Sequence, residues 1–390
     1  MDADLVVIGG GPVGSVLAIL LARAGNRVTI LEKSRFPRDK PCGEGLMPSG
    51  VAVLDRLGVN LREAGFPPLR GVRYRLPGAP GTAVATAAGS FRARTGCGVR
   101  RVRLDQLLAE RAAEEPGVEL VLGCAARGVS LHAGCVRVST GAGELRAAAV
   151  MGADGLHSSV ARWLGWARPP RRRRGGPRYG LVGHLAHPGP VPEEVVVTLL
   201  HGLEVYTAAT APDEVLLAVL GPRGSLRRPG LSVVESYREI AATAHPELSD
   251  ASLTSEVRGA GPFGVGPSRV AEGRLYLVGD ASGFTDPLTG DGIASGLAQA
   301  EVLARLWSEG AQAPQRVAAR YRAWRAGQWR RRRFLSELAL ALGGSAVLAR
   351  RALAGMGRRP AALQTLLEVN DGSRRLSSVS PRDWAALAGF

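Results

Sequence analysis

The turn Gly9-Gly10-Gly11-Pro12-Val13-Gly14 leaves this chain few folds to choose from. It follows a continuous apolar run, residues 4–8 (DLVVI), of the kind that forms a parallel strand buried on both faces. After it, residues 15–24 carry a helical pattern with Gly25 just past the end, and residues 27–31 read as a second strand closing on Glu32. The glycines of such a GxGxxG answer three steric demands: Gly9 a tight turn, Gly11 close approach of the backbone to a pyrophosphate, Gly14 close packing of helix on strand. Val13 lies in the same loop, and the helix start turns its partial positive charge towards the phosphates. Glu32 is placed to accept from ribose hydroxyls. A glycine turn without a ligand is the competing explanation, but strand, helix, second strand and acid all fall in order, and dinucleotide binding is expected.

Further along, residues 41–50 (PCGEGLMPSG) read as a loop, 51–57 as a short helix, and 70–94 as hairpin strands of a second sheet. Residues 104–115 form a helix, and 118–122 and 136–140 strands. Between 179 and 220 the pattern is strands broken by Pro/Gly turns, notably 194–200, 205–209 and 215–220, which makes an antiparallel sheet with one face available to a ligand. A helix at 231–244, a buried strand at 275–278 and a long helix at 293–307 follow, and the chain beyond Pro314 is helical and amphipathic.

The net charge is +16, which could mean a polyanionic partner. Lys33 and Lys40 are the only lysines, however, and an arginine excess joined to Ala, Gly and Pro richness points to composition pressure; no nucleic-acid role is expected. The clusters at 171–174 and 330–333 stand out, the first as a surface loop, the second at the end of a helical pattern. Cys42, Cys97, Cys124 and Cys135 have neither CxxC nor Cys/His spacing, so no metal site and no disulfide framework are expected, and a cytoplasmic location fits. No segment approaches the ~18 uninterrupted apolar residues of a membrane span.

Two later stretches add specificity. Residues 151–162 (MGADGLHSSVAR) follow a small apolar strand; residues 277–293 (LVGDASGFTDPLTGDGI) join a strand to the long helix. In the second, Asp280 can accept from sugar hydroxyls and the amides of residues 290–293 open a helix towards an anionic group. With GxGxxG, these stretches resemble the three fingerprints of FAD-dependent oxidoreductases of the p-hydroxybenzoate hydroxylase-like superfamily, over residues 4 to about 310. PCGEGL and GDASGFTDPLTGDGI resemble most closely its geranylgeranyl reductase-like branch.

The resemblance implies an α/β fold: a Rossmann-like FAD-binding domain (1–70, 95–168, 270–325) interleaved with a mostly antiparallel substrate sheet (71–94, 175–265), plus C-terminal helices (326–390). It implies FAD contacts at Gly9, Gly11, Val13, Gly14, Glu32, Arg101 and Asp280, with Gly292 and Ile293 at the flavin pyrimidine edge and Ala126 at the adenine. Asp154 falls in the segment implicated in FAD and NAD(P)H contacts, and His157 reads as a surface or supporting residue. The loop at 41–50 would pass along the cofactor, which makes Cys42, Gly43 and Gly45 cofactor contacts and Cys42 a tuning residue. Pro287 would lie beside the flavin, with Asp286 either an acid–base group or a helix cap. Gly283 stands where many relatives carry His, and Phe284 adds an apolar wall.

The implied activity is that of an NAD(P)H-using monooxygenase, working through a flavin C4a-hydroperoxide on an apolar or aromatic metabolite of the natural-product kind, free or borne by an acidic carrier protein. The nicotinamide would bind only transiently, since the chain has a single GxGxxG. The alternative is reduction of carbon–carbon double bonds in an isoprenoid or polyketide lipid, which PCGEGL favours; the basic helical C-terminus is compatible with peripheral membrane contact. Against it, the strand comparable to the reductases' YxWxFP pocket motif reads Val205-Tyr206-Thr207-Ala208-Ala209-Thr210-Ala211-Pro212. The WxWxIP of tryptophan halogenases is absent. A non-enzymatic polyanion- or membrane-binding protein is the remaining class.

Overall fold

A computed structural model describes the whole chain except residues 79–83, 93, 171–175 and 201; the arginine-rich loop expected at 171–174 therefore lies outside the described residues. Ten α-helices occur among them: α1 Pro12–Arg23, α2 Pro48–Arg56, α3 Arg101–Ala113, α4 Ser159–Trp163, α5 Val233–Ala244, α6 Gly292–Gly310, α7 Pro314–Gly343, α8 Ala346–Arg358, α9 Pro360–Asp371 and α10 Pro381–Leu387.

The apolar run at the N-terminus becomes strand Leu5–Ile8, buried along its whole length because it pairs in parallel with Ala149–Gly152 on one side and Val28–Glu32 on the other. The sheet continues to Val118–Leu122 beyond Val28–Glu32, and to Leu275–Leu277 and the short antiparallel Ala271–Glu272 on the opposite edge. Strands far apart in sequence thus bring the three glycine-rich turns, after Ile8, Gly152 and Leu277, to one end of one sheet. Helices α1, α3 and α6 cover it through a core that includes Leu17, Leu108, Leu297 and Trp307. Each such side chain contributes roughly 1.5–3 kcal/mol by leaving water.

The second sheet has seven strands in the order Arg258–Ala260, Arg178–Ala186, Glu214–Pro222, Leu203–Ala211, Glu194–Leu200, Gly71–Leu76 and Ala85–Ser90. Neighbours are antiparallel except Glu194–Leu200 with Gly71–Leu76. Strand Leu203–Ala211 is central and buried almost throughout, since α5 covers one face of the sheet and α8 and α9 pack against the other. α5 begins at a capping box, Ser232 with Glu235, as its sequence signature suggests.

Three expectations change. The segment 41–50 is not all loop: Gly45–Leu46 forms a short strand against Gly96–Gly98, and α2 starts at Pro48, whose missing N–H suits a first helical position. Helix α7 runs unbroken through position 325, so the C-terminal helices begin inside the region that covers the parallel sheet. The arginines at 330–333 lie inside α7 and not at the end of a helical pattern: Arg332 is turned inward and pairs with Asp291 at 2.7 Å, while Arg333 pairs with Glu337.

Candidate active site

The glycine turn is as tight as its sequence requires. Gly9 has φ +108°, and a Cβ there would stand 2.6 Å from the Ala153 carbonyl oxygen. A Cβ on Gly14 would fall on the carbonyl oxygen of Gly9, so this helix and turn can meet only through glycine. No side chain caps α1 at Gly11, which leaves its first amides open. The carboxylate of Glu32, buried at the end of its strand, accepts from Gly10 N at 2.8 Å and Ser34 N at 3.0 Å, and pairs with Arg38 at 3.3 Å.

From this turn a cavity of about 430 Å³ runs past Gly11, Val13, Lys40, Arg101 and Asp280 to the start of α6 at Gly292 and Ile293. Asp291, the residue before α6, sends its carboxylate to Arg332 and Thr289 and does not cap the helix, so the α6 amides also stay open. Two uncapped helix starts, with Lys40, Arg101 and Asp280 in the wall between them, form a cradle suited to a dinucleotide with an anionic ring, while Glu32 is not among the residues of that wall. These residues fit FAD. Arg101 is held by Asp105 at 2.6 Å, and Arg38 shares that carboxylate at 2.9 Å. Burial lowers the proton affinity of Lys40, as do Arg101 and Arg38, against Asp280 and Asp105.

The loop at 41–50 lies along this cavity, with Cys42, Gly43 and Gly45 in its wall. A Cβ on Gly43 would stand 2.8 Å from the Tyr206 hydroxyl, so the bare glycine lets the loop approach the second sheet. Glu44 takes φ +53°, a strained conformation for a residue with a side chain. Its buried carboxylate accepts from the Arg101 backbone N–H at 2.7 Å and contacts His184 Nε2 at 2.7 Å, which ties the loop to α3 and to strand Arg178–Ala186. Cys42 Sγ accepts from Glu44 N at 3.4 Å. Burial pushes the Cys42 thiol up, outweighing the neighbouring Arg101. The thiol is therefore protonated at neutral pH, and iodoacetamide should modify it more slowly at pH 7 than it modifies free cysteine. Cys42→Ser should keep FAD and change turnover modestly.

Of the other expected residues, Pro287 lines the cavity, whereas Asp286 is buried beside it, accepting from Leu288 N at 3.2 Å as a cap and pairing with Arg178 at 3.0 Å. Asp154 is not brought into the cavity. Its carboxylate accepts from Ser158 Oγ and Ser159 N, both at 2.6 Å, holding the start of α4 and setting its own backbone over Gly9. Ala126 packs against the apolar cluster that includes Ile8 and Leu31, and is not among the residues of the cavity wall. His157 is exposed at the mouth. At Gly283, φ is +114° and a Cβ would stand 2.9 Å from the Trp329 ring. Phe284 meets Phe263 edge to face at 5.7 Å and walls the flavin end.

Sequence reasoning missed Arg38, Lys40, Glu44, Arg178 and Glu204, and named Tyr206 only within the strand compared with a pocket motif. It also missed the reach of the cavity, which continues beyond α6 between the second sheet and α7, α8 and α9, where Val197, Leu220, Leu342, Leu353, Met356 and Leu367 line it.

A family model described as an FAD binding domain matches residues 2–328, and the chain belongs to that family. It is an FAD-dependent oxidoreductase of the p-hydroxybenzoate hydroxylase-like superfamily. A menaquinone reductase of Mycobacterium tuberculosis is 30% identical over 341 residues, 78% of this chain and 79% of that one. A 6-methylpretetramide 4-monooxygenase of Streptomyces rimosus is 29% identical over 315 residues, 74% of this chain and 71% of its own. The solved structure of the flavin-dependent brominase Bmp2 superposes with a TM-score of 0.83 at 18% identity, covering 98% of this chain and 96% of that one, a likeness of fold.

Proposed function

We propose that the protein is an NAD(P)H-using monooxygenase acting on an elongated, largely apolar metabolite. The observation that carries this reading is the shape of the cavity: polar groups gather where it meets the start of α6, and leucine, valine and methionine line the rest. Bound FAD would supply hydride acceptance and oxygen activation. The chain's own residues would do the remainder. The α6 amides at Gly292 and Ile293 hold negative charge at the ring edge, and Phe263, Phe284 and Leu288 keep water from the reacting end. The relative named as a monooxygenase supports oxygen insertion.

The length of the apolar arm favours a second reading, reduction of a double bond in a lipid, which the relative named as a menaquinone reductase also supports. Val347 and Leu348, exposed at the start of α8 beside Arg350 and Arg351, would suit peripheral contact with an anionic bilayer in either case. Turnover under labelled dioxygen separates the two: label in the product supports hydroxylation, and product formed anaerobically with NAD(P)H contradicts it. The arm itself is tested at Ala352, a buried small residue in its wall. Ala352→Trp should weaken binding of long-chain ligands by about tenfold or more while sparing short ones, measured by titration against the flavin absorbance.

A further inference from the structure

We infer that a second cavity binds a monoanionic carboxylate with a flat apolar body, and that Arg331 holds the carboxylate. This cavity, of about 690 Å³, lies between α2, α6, α7, α9 and the segment that follows strand Ala85–Ser90. Small residues make the space: Ala294, Ser295 and Ala298 fall on one face of α6, and Ala52 adds to it from α2. Trp324, Gln328 and Arg331, four and three residues apart on α7, share the face that closes the other side. Phe91 and Leu367 complete an apolar wall and also line the first cavity, so the two cavities are neighbours.

Arg331 is half-buried, and among the described residues its guanidinium has no hydrogen bond or ion pair; its Nε is fully buried without a partner. It lies against Gly372 at the end of α9, where a Cβ would stand 3.1 Å from Nη1. The carbonyls of Glu368 and Val369 at that helix end accept from the backbone of Gly372 and Arg374. The nearby carboxylates are engaged too. Asp291 pairs with Arg332 at 2.7 Å, Asp371 accepts from Ser49 N at 3.0 Å, and Glu368 meets Arg374 at 3.4 Å and Arg92 at 3.8 Å. The remaining arginine of the wall, Arg94, pairs with Asp55 at 2.9 Å. The wall's four arginines and Arg332 thus stand against its three carboxylates and Asp55, which leaves one positive charge. Burial disfavours that charge at Arg331, and so does Arg332, with Asp291 and Asp371 opposing. One carboxylate balances it, and the planar guanidinium can meet that group with two parallel hydrogen bonds. A phosphate, with nearly two negative charges at neutral pH, is opposed by Glu368 and Asp371. Trp324 and Phe91 suit a flat apolar body behind the carboxylate.

The test is a calorimetric titration of the FAD-loaded protein with 1-naphthaleneacetate and with its neutral analogue, 1-naphthaleneacetamide. The wild-type protein should bind one acetate probe per chain, about tenfold or more tighter than the amide. Arg331→Gln should bring the two probes to similar affinity with FAD content unchanged. Arg330→Gln removes the same charge from the exposed side of α7 and should leave the preference intact, which separates this site from the general positive charge of the chain. Ala352→Trp, which narrows the apolar arm, should leave the affinity for the acetate probe unchanged, so the inference stands or falls apart from the reading of that arm. Equal binding of the two probes by the wild-type protein, or binding of neither, overturns the inference. So does a preference retained in Arg331→Gln, lost in Arg330→Gln or weakened in Ala352→Trp, or displacement of the acetate probe by an equal concentration of inorganic phosphate. The wild-type comparison decides the matter even if Arg331→Gln does not fold.

Discussion

Gly14→Ala should yield a protein without bound flavin. The added methyl would occupy the place of the Gly9 carbonyl oxygen, with Ala153 Cβ at 3.3 Å on its other side, so neither helix nor turn can give way alone. Overpacking of this kind costs roughly 1–3 kcal/mol in an ordinary core. Here the displaced group is the backbone that defines the pyrophosphate cradle, and the loss falls on cofactor affinity as well as on stability. The purified variant should show no flavin absorbance at 1:1 reconstitution, together with a lower melting temperature. A yellow Gly14→Ala protein with wild-type FAD content would refute the close packing of α1 on this turn.

Glu44→Ala should be nearly as damaging, through different physics. Removal of the carboxylate leaves the Arg101 backbone N–H and the His184 ring without the partner that each now contacts at 2.7 Å, in a buried setting, and should cost about 3 kcal/mol. Glu44→Gly loses the same contacts but relieves the positive φ, and should recover about 1 kcal/mol of that loss. Urea unfolding of the two variants measures the difference, and FAD titration should show both binding more weakly than wild type. Equal stability of the two would mean that the backbone at Glu44 is not strained.

What could be read in the sequence was local. Strand, glycine turn, helix and acid at residues 4–32 are neighbours along the chain, and their steric logic stands in 29 consecutive positions. The GADG and GDA stretches are equally compact. What could not be read was assembled from distant parts. Glu44 and His184 are 140 residues apart, and Arg178 reaches Asp286 across 108; no spacing rule links them. An acid beside Cys42 in a glycine-rich loop, with Arg100 and Arg101 later in the chain, was the one available signal for Glu44. The arginine run at 330–333 meets the same limit, since composition is silent on which member turns inward to meet Asp291. Helix-capping acids raised the same difficulty: the strand-end position of Asp154 resembles a cofactor contact, and only the fold shows its carboxylate spent on the start of α4.

The account turns on a flavin at one end of an apolar arm that accepts the rest of the substrate. The most direct measurement is a titration of the FAD-loaded protein with 4-alkylphenols of increasing chain length, followed by the flavin absorbance. The account predicts that each added methylene tightens binding by about 0.8 kcal/mol, roughly fourfold, until the arm is full, and that the break comes at a shorter chain in Ala352→Trp. Affinity independent of chain length, in both proteins, would contradict it.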